Sequence, residues 1–526
     1  MIKEDLEENN FKCLKTLIIV PASLLLQWKS EIENRFERNS FNFYLYHGAS
    51  RKTTSTNLEE RDLVFTTYEI VAREVINEEE HLLSMQSTSP LQLVKWERII
   101  LDEAHRIRNQ ETQVSGKVCA LKSKYRIAMT GTIIQNSLFD FFSLVKFLNV
   151  KPLNNKLVWK HVFGSEDAPK VTVPVIDNCL KEKTKLYNQW LLLLSECLIL
   201  RRLKTDKYLI NGIVKPLVSI PNKSVEIVRI NLNEIEKFIY EKIYDEFGLS
   251  DHLKKLIEIQ SKKLLGVSAS YAEVYVYLLR LRQACLHLNL LSKCLNLGEL
   301  RKMLDYDEQM QSLSLENSDN NLVNIDFTLF AGDLKKYIDV NFMSSKLIEL
   351  FKIIERLFEV NDDKIIIVSQ WTSMLEIVGY HLDSRNIKFC EIRGEVSLTK
   401  RNEIVNQFNF DQNSKTKVML LSLNAGGVGL NLIGANYMFI LDVHWNPALE
   451  QQVCDRIFRV GQKKDVTIYK FICNHTIEVR IEKLQNYKSS ISDRLSSPHL
   501  VYGKTLTLDD IIFIFQGGDI NNNHFM

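Results

Sequence analysis

Short apolar runs closed by polar or small residues recur along this chain, and they constrain its fold more than any other feature. Four lie early, at Leu17–Val20, Leu63–Thr66, Ile99–Leu101 and Ile127–Met129; four lie late, at Ile365–Val368, Val418–Leu423, Met438–Leu441 and Val466–Phe471. Runs that are apolar at successive positions, rather than at alternate ones, fit strands buried on both faces, and therefore parallel strands covered by helices. Helix-period segments separate them. The pattern predicts an α/β fold with two doubly wound parallel-sheet lobes, whose ligands bind at the carboxyl ends of the strands.

The boundaries follow the change of pattern. Residues 1–150 read as the first lobe, 151–345 as a helical protrusion or linker, 346–490 as the second lobe and 491–526 as a C-terminal extension. Within the interval, Glu234–Phe247 and Tyr271–Leu295 have helical periodicity; the second carries Leu278, Leu279, Leu281, Leu286 and Leu288 with Arg280 and Arg282 between them. A Ser-, Asn- and Asp-rich stretch at 306–325 reads as a loop. The apolar stretch Ile511–Phe515 is expected to dock back on a lobe.

At 526 residues the chain exceeds what one core usually holds, so more than one domain is expected. A formal net charge of +2 gives no overall polycation, and any nucleic-acid surface must come from local Lys and Arg. The nine cysteines form no C-x-x-C pair and no zinc-like spacing with His, which disfavours disulfides and zinc. No apolar run approaches the length of a membrane span. The start, MIKEDLEENN, is acidic where a signal or transit peptide would be basic, so an intracellular compartment is expected.

Three constellations carry chemistry. Ile99-Ile100-Leu101 delivers Asp102 and Glu103, followed by Ala104 and His105, to a strand end. Paired carboxylates there suit a magnesium-dependent phosphoryl-transfer centre, one holding the ion through water and its neighbour polarising the attacking water. Thr130-Gly131-Thr132 follows the next strand and supplies hydroxyls and a tight turn, although Thr132 is equally an ordinary helix cap. Arg456 and Arg459 lie three apart, on one face if the segment is helical, where guanidinium forks can answer charge on a transferring phosphoryl group. Ser23, after a strand ended by Pro21, opens a helix whose N–H groups suit a nucleic-acid phosphate, or else simply caps it. Thr66 marks a further hydroxyl-rich strand end.

Asp102–His105, Thr130–Asn136 and Gln452–Gln462, in this order and spacing, resemble the Swi/Snf-type ATPases of helicase superfamily two. Lys364–Leu375, Arg393-Gly394 with Arg401, Leu421–Leu432 and His444-Trp445-Asn446-Pro447 agree with it, from Thr16 to about Lys483. Within that family Leu45–Gly48, Trp96–His105 and Leu279–Leu288 look most like the Lodestar branch. The resemblance implies two RecA-like lobes and a nuclear, double-stranded-DNA-dependent ATPase that uses ATP and Mg²⁺ and moves along duplex without unwinding it. For the branch it implies transcription termination by displacement of RNA polymerase II. It also assigns roles: Asp102 and Glu103 as the metal- and water-handling pair; Arg456 and Arg459 reaching the nucleotide from the second lobe; Gln452 and Gly429 at the same cleft. His105, Thr130, Gly131 and Thr132 would couple nucleotide state to DNA grip, while Ser23, Thr66, Ser369, Gln370 and Asn424 would approach the DNA backbone.

The family's phosphate-gripping loop, G-x-x-x-x-G-K-[ST], does not occur ahead of Leu17. Gly503-Lys504-Thr505 spells its end, but Pro498 stands where the first Gly belongs and no strand precedes it. The chain is therefore expected to be a fragment of a longer motor; the alternative is a catalytically inactive short form that binds DNA or polymerase.

Overall fold

The computed structural model describes residues 15–37, 40–48, 51, 58–76, 89–131, 138–163, 193–194, 196–200, 202, 204, 206–210, 213–216, 218, 220–246, 268–291, 334–360, 363–394, 396, 398–410, 416–426, 430–494 and 514. The chain divides into two compact units, the first holding the residues up to Arg201 and the second running from Arg202 to Tyr487 and including Leu506–Ile520.

The first unit is built on a parallel sheet of β1 (Thr16–Val20), β2 (Phe43–Leu45), β3 (Leu63–Thr67), β4 (Trp96–Leu101) and β5 (Ser123–Ala128), in the order β2-β3-β1-β4-β5. Every residue of β1 and β3 is buried. Alternate residues Leu17, Ile19, Val64, Ile99 and Leu101 enter one core with Phe142, Phe147 and Trp159 from the helices Leu138–Leu148 and Lys156–Phe163. The other positions of the same strands, Ile18, Phe65 and Ile100, are buried as well. Burial on both sides explains the uninterrupted apolar runs. The register Ile19↔Leu101 puts the carboxyl ends of β1 and β4 side by side.

Two strands follow as a small antiparallel pair, β6 (Lys207–Ile210) and β7 (Ile213–Pro216). The second unit's sheet comprises β8 (Lys223–Ile230), β9 (Ile365–Ser369), β10 (Phe389–Ile392), β11 (Val418–Ser422), β12 (Tyr437–Ile440) and β13 (Val466–Cys473), in the order β10-β11-β9-β12-β13-β8, with every pairing parallel. Odd and even positions separate cleanly: Ile365, Ile367, Val418, Leu420 and Phe439 face one core, and Ile366, Val368, Met419, Leu421 and Met438 face the other. That is the doubly wound arrangement the sequence pattern predicts.

The interval 151–345, expected to be helical, also supplies β6, β7 and β8. Its helices Glu234–Glu246 and Ser268–Ala284 do form. Lys-Ser-Val-Glu-Ile-Val-Arg-Ile at β8, however, mixes polar and apolar residues with no continuous apolar run, and only Ile230 is buried. It pairs only with β13 at the sheet's edge, and Val225 and Ile227 stay exposed. Strands β2 and β10 also lie outside the predicted runs; each is an edge strand, of 3 and 4 residues respectively. Ile514, within the stretch expected to dock, is fully buried in the second unit's core, and its carbonyl accepts from Arg480. The 306–325 stretch lies outside the described residues.

Two buried histidines make the second unit sensitive to acid. His287 accepts Asn289 N–H at Nδ1 (3.1 Å), so Nε2 carries the proton it shares with the Phe342 carbonyl at 2.8 Å. His444 accepts Asn446 N–H at Nδ1 (2.9 Å). Burial lowers His287 to about 4 and His444 to about 3, the nearby Arg282 charge adding to the latter. Between those values and the ordinary imidazole pKa near ~6.5 the unfolded chain binds protons that the folded chain does not, so stability falls as pH drops from about 6.5 toward 4. Each histidine contributes at most about 1.4 kcal/mol per pH unit in that window. Urea melts at pH 7.5, 6 and 5 check this; a midpoint that holds steady to pH 5, or one whose decline is unchanged in His287→Gln, contradicts it.

Candidate nucleotide site

The β4 strand ends at Leu101, and the ladder continues just beyond it: Asp102 N–H donates to the Ile19 carbonyl at 2.9 Å, Met129 N–H to Leu101 at 2.8 Å, and Ala104 N–H to Met129 at 2.8 Å. These bonds hold the Asp102-Glu103 turn against the start of Thr130-Gly131. Glu103 itself is left-handed, φ 50° and ψ 50°, before the 3-10 turn Ala104–Ile107. A non-glycine residue there is strained by ~1–2 kcal/mol, and such strain concentrates at functional sites.

The turn is held by side chains as well as backbone. Trp28 Nε1 donates to Asp102 Oδ2 at 2.7 Å, Glu103 N–H donates to Asp102 Oδ1 at 3.0 Å, and the Tyr68 hydroxyl donates to the Asp102 carbonyl at 2.7 Å. Burial, then the Asp102 and Glu103 charges, pushes the Tyr68 hydroxyl well above its ordinary pKa, so it remains a donor. His105 Nδ1 lies 3.2 Å from Glu103 Oε2, with both side chains about a fifth exposed, His105 at 19% and Glu103 at 22%. Adjacent, partly solvated carboxylate oxygens at a strand end are a hard donor set, and they fit a magnesium ion held largely through water. Asp102 would hold it, with the Glu103 carboxylate beside it.

The second group is carried by the helix Pro447–Ile457. Asn446 caps it, its side chain accepting Ala448 N–H at 2.9 Å, and Pro447 occupies the first turn, where a missing N–H is harmless. The His-Trp-Asn-Pro string is thus the start signal of the helix bearing Gln452 and Arg456. Buried Glu450 ties that start down, accepting from His444 N–H at 2.7 Å, Gln485 at 2.8 Å and Lys470 at 2.6 Å.

Arg459 departs from the expectation that both arginines share a helical face. The helix stops at Ile457; Phe458 leaves helical geometry at φ −88°, ψ 78°, and Arg459 sits in the following turn. Buried Gln462 fixes the turn by donating to the carbonyls of Ala435 (2.8 Å) and Ile457 (3.3 Å), and Gly461, at φ +103°, supplies a conformation that other residues rarely adopt. Lys204 Nζ reaches Asp455 Oδ1 at 2.7 Å and the Phe458 carbonyl at 2.5 Å. Among the described residues Arg459 Nη1 is buried without a hydrogen-bond acceptor, as are Arg282 Nη1 and Arg401 Nε.

The positions expected to approach DNA divide. Ser23 lies inside the 3-10 turn Ala22–Leu24 and makes no cap; Pro21 stands at the cap position ahead of it. Thr66 is fully buried and donates to the Tyr46 carbonyl at 3.2 Å, while its neighbour Thr67 caps the helix Tyr68–Glu74. Ser369 is buried too, its hydroxyl directed at Asp442 and accepting Trp371 N–H at 3.1 Å. Neither hydroxyl presents itself to a ligand. Gln370 is half-buried; its N–H donates to both Asp442 oxygens at 3.0 Å and its Oε1 accepts from fully buried Arg282 at 2.9 Å. Gly131 is exposed with open space around its Cα. Thr132, Gly429, the Asn424 side chain and Gly503–Thr505 lie outside the described residues.

Comparison with known proteins decides the family. The SNF2-related domain matches residues 2–290, and the helicase conserved C-terminal domain matches residues 345–461. The chain belongs to the SNF2-related family. It is 36% identical to transcription termination factor 2 of Drosophila melanogaster over 95% of this chain and 50% of that protein. Human helicase-like transcription factor is 31% identical over 93% of this chain and 51% of that protein. This SNF2-type chain therefore spans about half the length of the curated relatives it matches. Among solved structures, the Sulfolobus solfataricus SWI2/SNF2 ATPase core in complex with dsDNA aligns over 93% of this chain and 83% of that one, at 26% identity and a TM-score of 0.33. No helix among the described residues is long and apolar enough to cross a membrane.

Trp28, Tyr68 and Arg282 were missed by sequence reasoning. Tyr68 reads as the end of a hydroxyl-rich strand, and Arg282 as one basic residue among the leucines of an amphipathic helix. Their partners are 74, 34 and 88 residues away. For Trp28, its place in a helix whose neighbouring side chains are largely polar was the available signal.

Proposed function

We propose that this chain is the motor segment of a nuclear, double-stranded-DNA-dependent ATPase that uses ATP and Mg²⁺ to translocate on duplex. We further propose that it acts in transcription termination by displacing RNA polymerase II. The hydrogen-bonded carboxylate pair at the end of β4 is the observation that carries the reading. Residues 1–150 and 346–490 are taken as the two lobes, 151–345 as the intervening protrusion and 491–526 as the extension. The similarity to transcription termination factor 2 supports the termination role.

The chain's residues divide the work. Bound magnesium supplies charge neutralisation on the phosphate oxygens. Asp102 holds and orients its shell, and Glu103 accepts the proton of the attacking water. Arg456 and Arg459 offset the charge that grows on the transferring phosphoryl group, and Gln452 and Gly429 lie with them. His105, Thr130, Gly131 and Thr132 link nucleotide state to DNA grip. Gln370, Ser23 and Asn424 remain the DNA-facing candidates, while Thr66 and Ser369 act as supports.

ATP turnover by the natural full-length protein, measured with and without duplex DNA, tests the reading. Turnover is expected to rise with duplex and to fall at least tenfold in Arg459→Ala with the melting temperature unchanged. Turnover indifferent to duplex removes the DNA-dependent motor, and an undiminished Arg459→Ala removes the role given to that turn. Displacement of a stalled polymerase from a duplex template addresses the termination role separately.

A further inference from the structure

We infer that Trp28 is a positioning residue for the carboxylate of Asp102, an inference that rests on the proposed ATPase reading. Trp28 sits in the helix Leu25–Arg35, where Lys29, Ser30, Glu31, Glu33 and Asn34 make the neighbouring surface polar. Its indole is not placed there only to fill a core. The ring leans on Phe65 at 6.0 Å between centroids, Phe65 in turn meets Phe43 edge-on at 6.5 Å, and the N–H is aimed 2.7 Å from Asp102 Oδ2.

An indole N–H suits this task because it is a donor that carries no charge and never accepts. A Lys or Arg in its place would cancel the Asp102 charge and weaken attraction for a divalent cation. Trp28 on Oδ2 and the Glu103 N–H on Oδ1 restrain both oxygens, and so the rotation of the carboxylate plane. The left-handed geometry of Glu103 gains a purpose as well, because Glu103 N–H turns back to the side chain before it.

Indole-¹⁵N labelling of the chain gives one cross-peak for each of its six tryptophans, and Trp28→Phe identifies the Trp28 peak. That peak is expected to move in Asp102→Asn, and to move more than the other five when magnesium chloride alone is added. A Trp28 peak that ignores either change overturns the inference. In the full-length protein, Trp28→Phe is expected to raise the magnesium concentration for half-maximal turnover about threefold and to lower kcat about tenfold, with KM for ATP within twofold of wild type. An unchanged magnesium requirement in a variant that melts normally also overturns it. If the wild-type protein shows no ATP turnover, the functional reading falls, and the response of the peak to Asp102→Asn still decides whether Trp28 holds this carboxylate.

Discussion

Glu103→Gln is expected to lower duplex-stimulated ATP turnover about a thousandfold, the middle of the range for removing a general base. The substitution keeps the shape and hydrogen-bonding length of the side chain and removes only its basicity. At 22% exposure the side chain is not part of the core, so folding should be untouched. Nucleotide affinity should stay within about threefold, because binding rests on contacts that are made before the water attacks. Turnover and fluorescent-nucleotide affinity measured on the same preparation distinguish the outcomes. A fall of less than tenfold, or an equal loss of affinity and turnover, would falsify the role given to Glu103.

Lys346→Met should have the largest effect on stability, about 3–5 kcal/mol, because it leaves an uncompensated charge in the second unit. Lys346 and Glu478 are both fully buried, with Nζ 2.6 Å from Glu478 Oε1, 2.7 Å from the Leu441 carbonyl and 3.4 Å from the Phe471 carbonyl. All three ammonium donors are satisfied. Glu478 Oε2 accepts Cys473 N–H at 2.8 Å, so the carboxylate is used on both sides. Burial pushes the Glu478 carboxyl up; burial also pulls the Lys346 amine down, but the Glu478 charge and hydrogen bond, together with the nearby Cys473 and Cys285, hold it at about 12. Replacing both partners, Lys346→Met with Glu478→Leu, is expected to restore most of the loss, since neither charge is then buried alone. Urea unfolding of the single and double variants provides the measurement. A single variant within about 1 kcal/mol of wild type, or a double variant no better than the single, would rule out a fully desolvated pair.

The pair also shows how structure and site are connected. Leu441 and Phe471 belong to the ends of neighbouring strands, and Leu441 is followed at once by Asp442, Val443 and His444, which lead into the helix carrying Gln452 and Arg456. Arg282 holds the same turn, donating to the Val443 carbonyl at 2.8 Å while stacking over Trp445 at 4.5 Å. Loss of Lys346 should therefore loosen the approach to the arginines before the whole unit unfolds.

Much of this was legible beforehand because parallel strands buried on two faces leave a one-dimensional trace. The eight apolar runs are eight strands, and Asp102 and Glu103 follow one of them directly, so their place at a carboxyl end required no tertiary knowledge. Strand β8 escaped because Lys-Ser-Val-Glu-Ile-Val-Arg-Ile has no continuous apolar run and lay in a region dominated by helices. The shared helical face of Arg456 and Arg459 failed for a different reason: the helix is ended by the turn that Gln462 ties down, and spacing alone does not reveal such a tie. Thr66 and Ser369 were expected from the resemblance to approach the DNA backbone, yet each is buried at a strand end.

The sequence by itself determined the α/β class, the family and where two candidate groups lie along the chain, because hydrophobic period and contiguous motifs are local properties. Only the tertiary structure decided what supports those groups. An indole, a phenol, a buried lysine and a buried arginine act on partners far along the chain. Whether such a side chain is a solvated charge, a core filler or a support depends on the atoms packed against it, which its sequence neighbours do not specify.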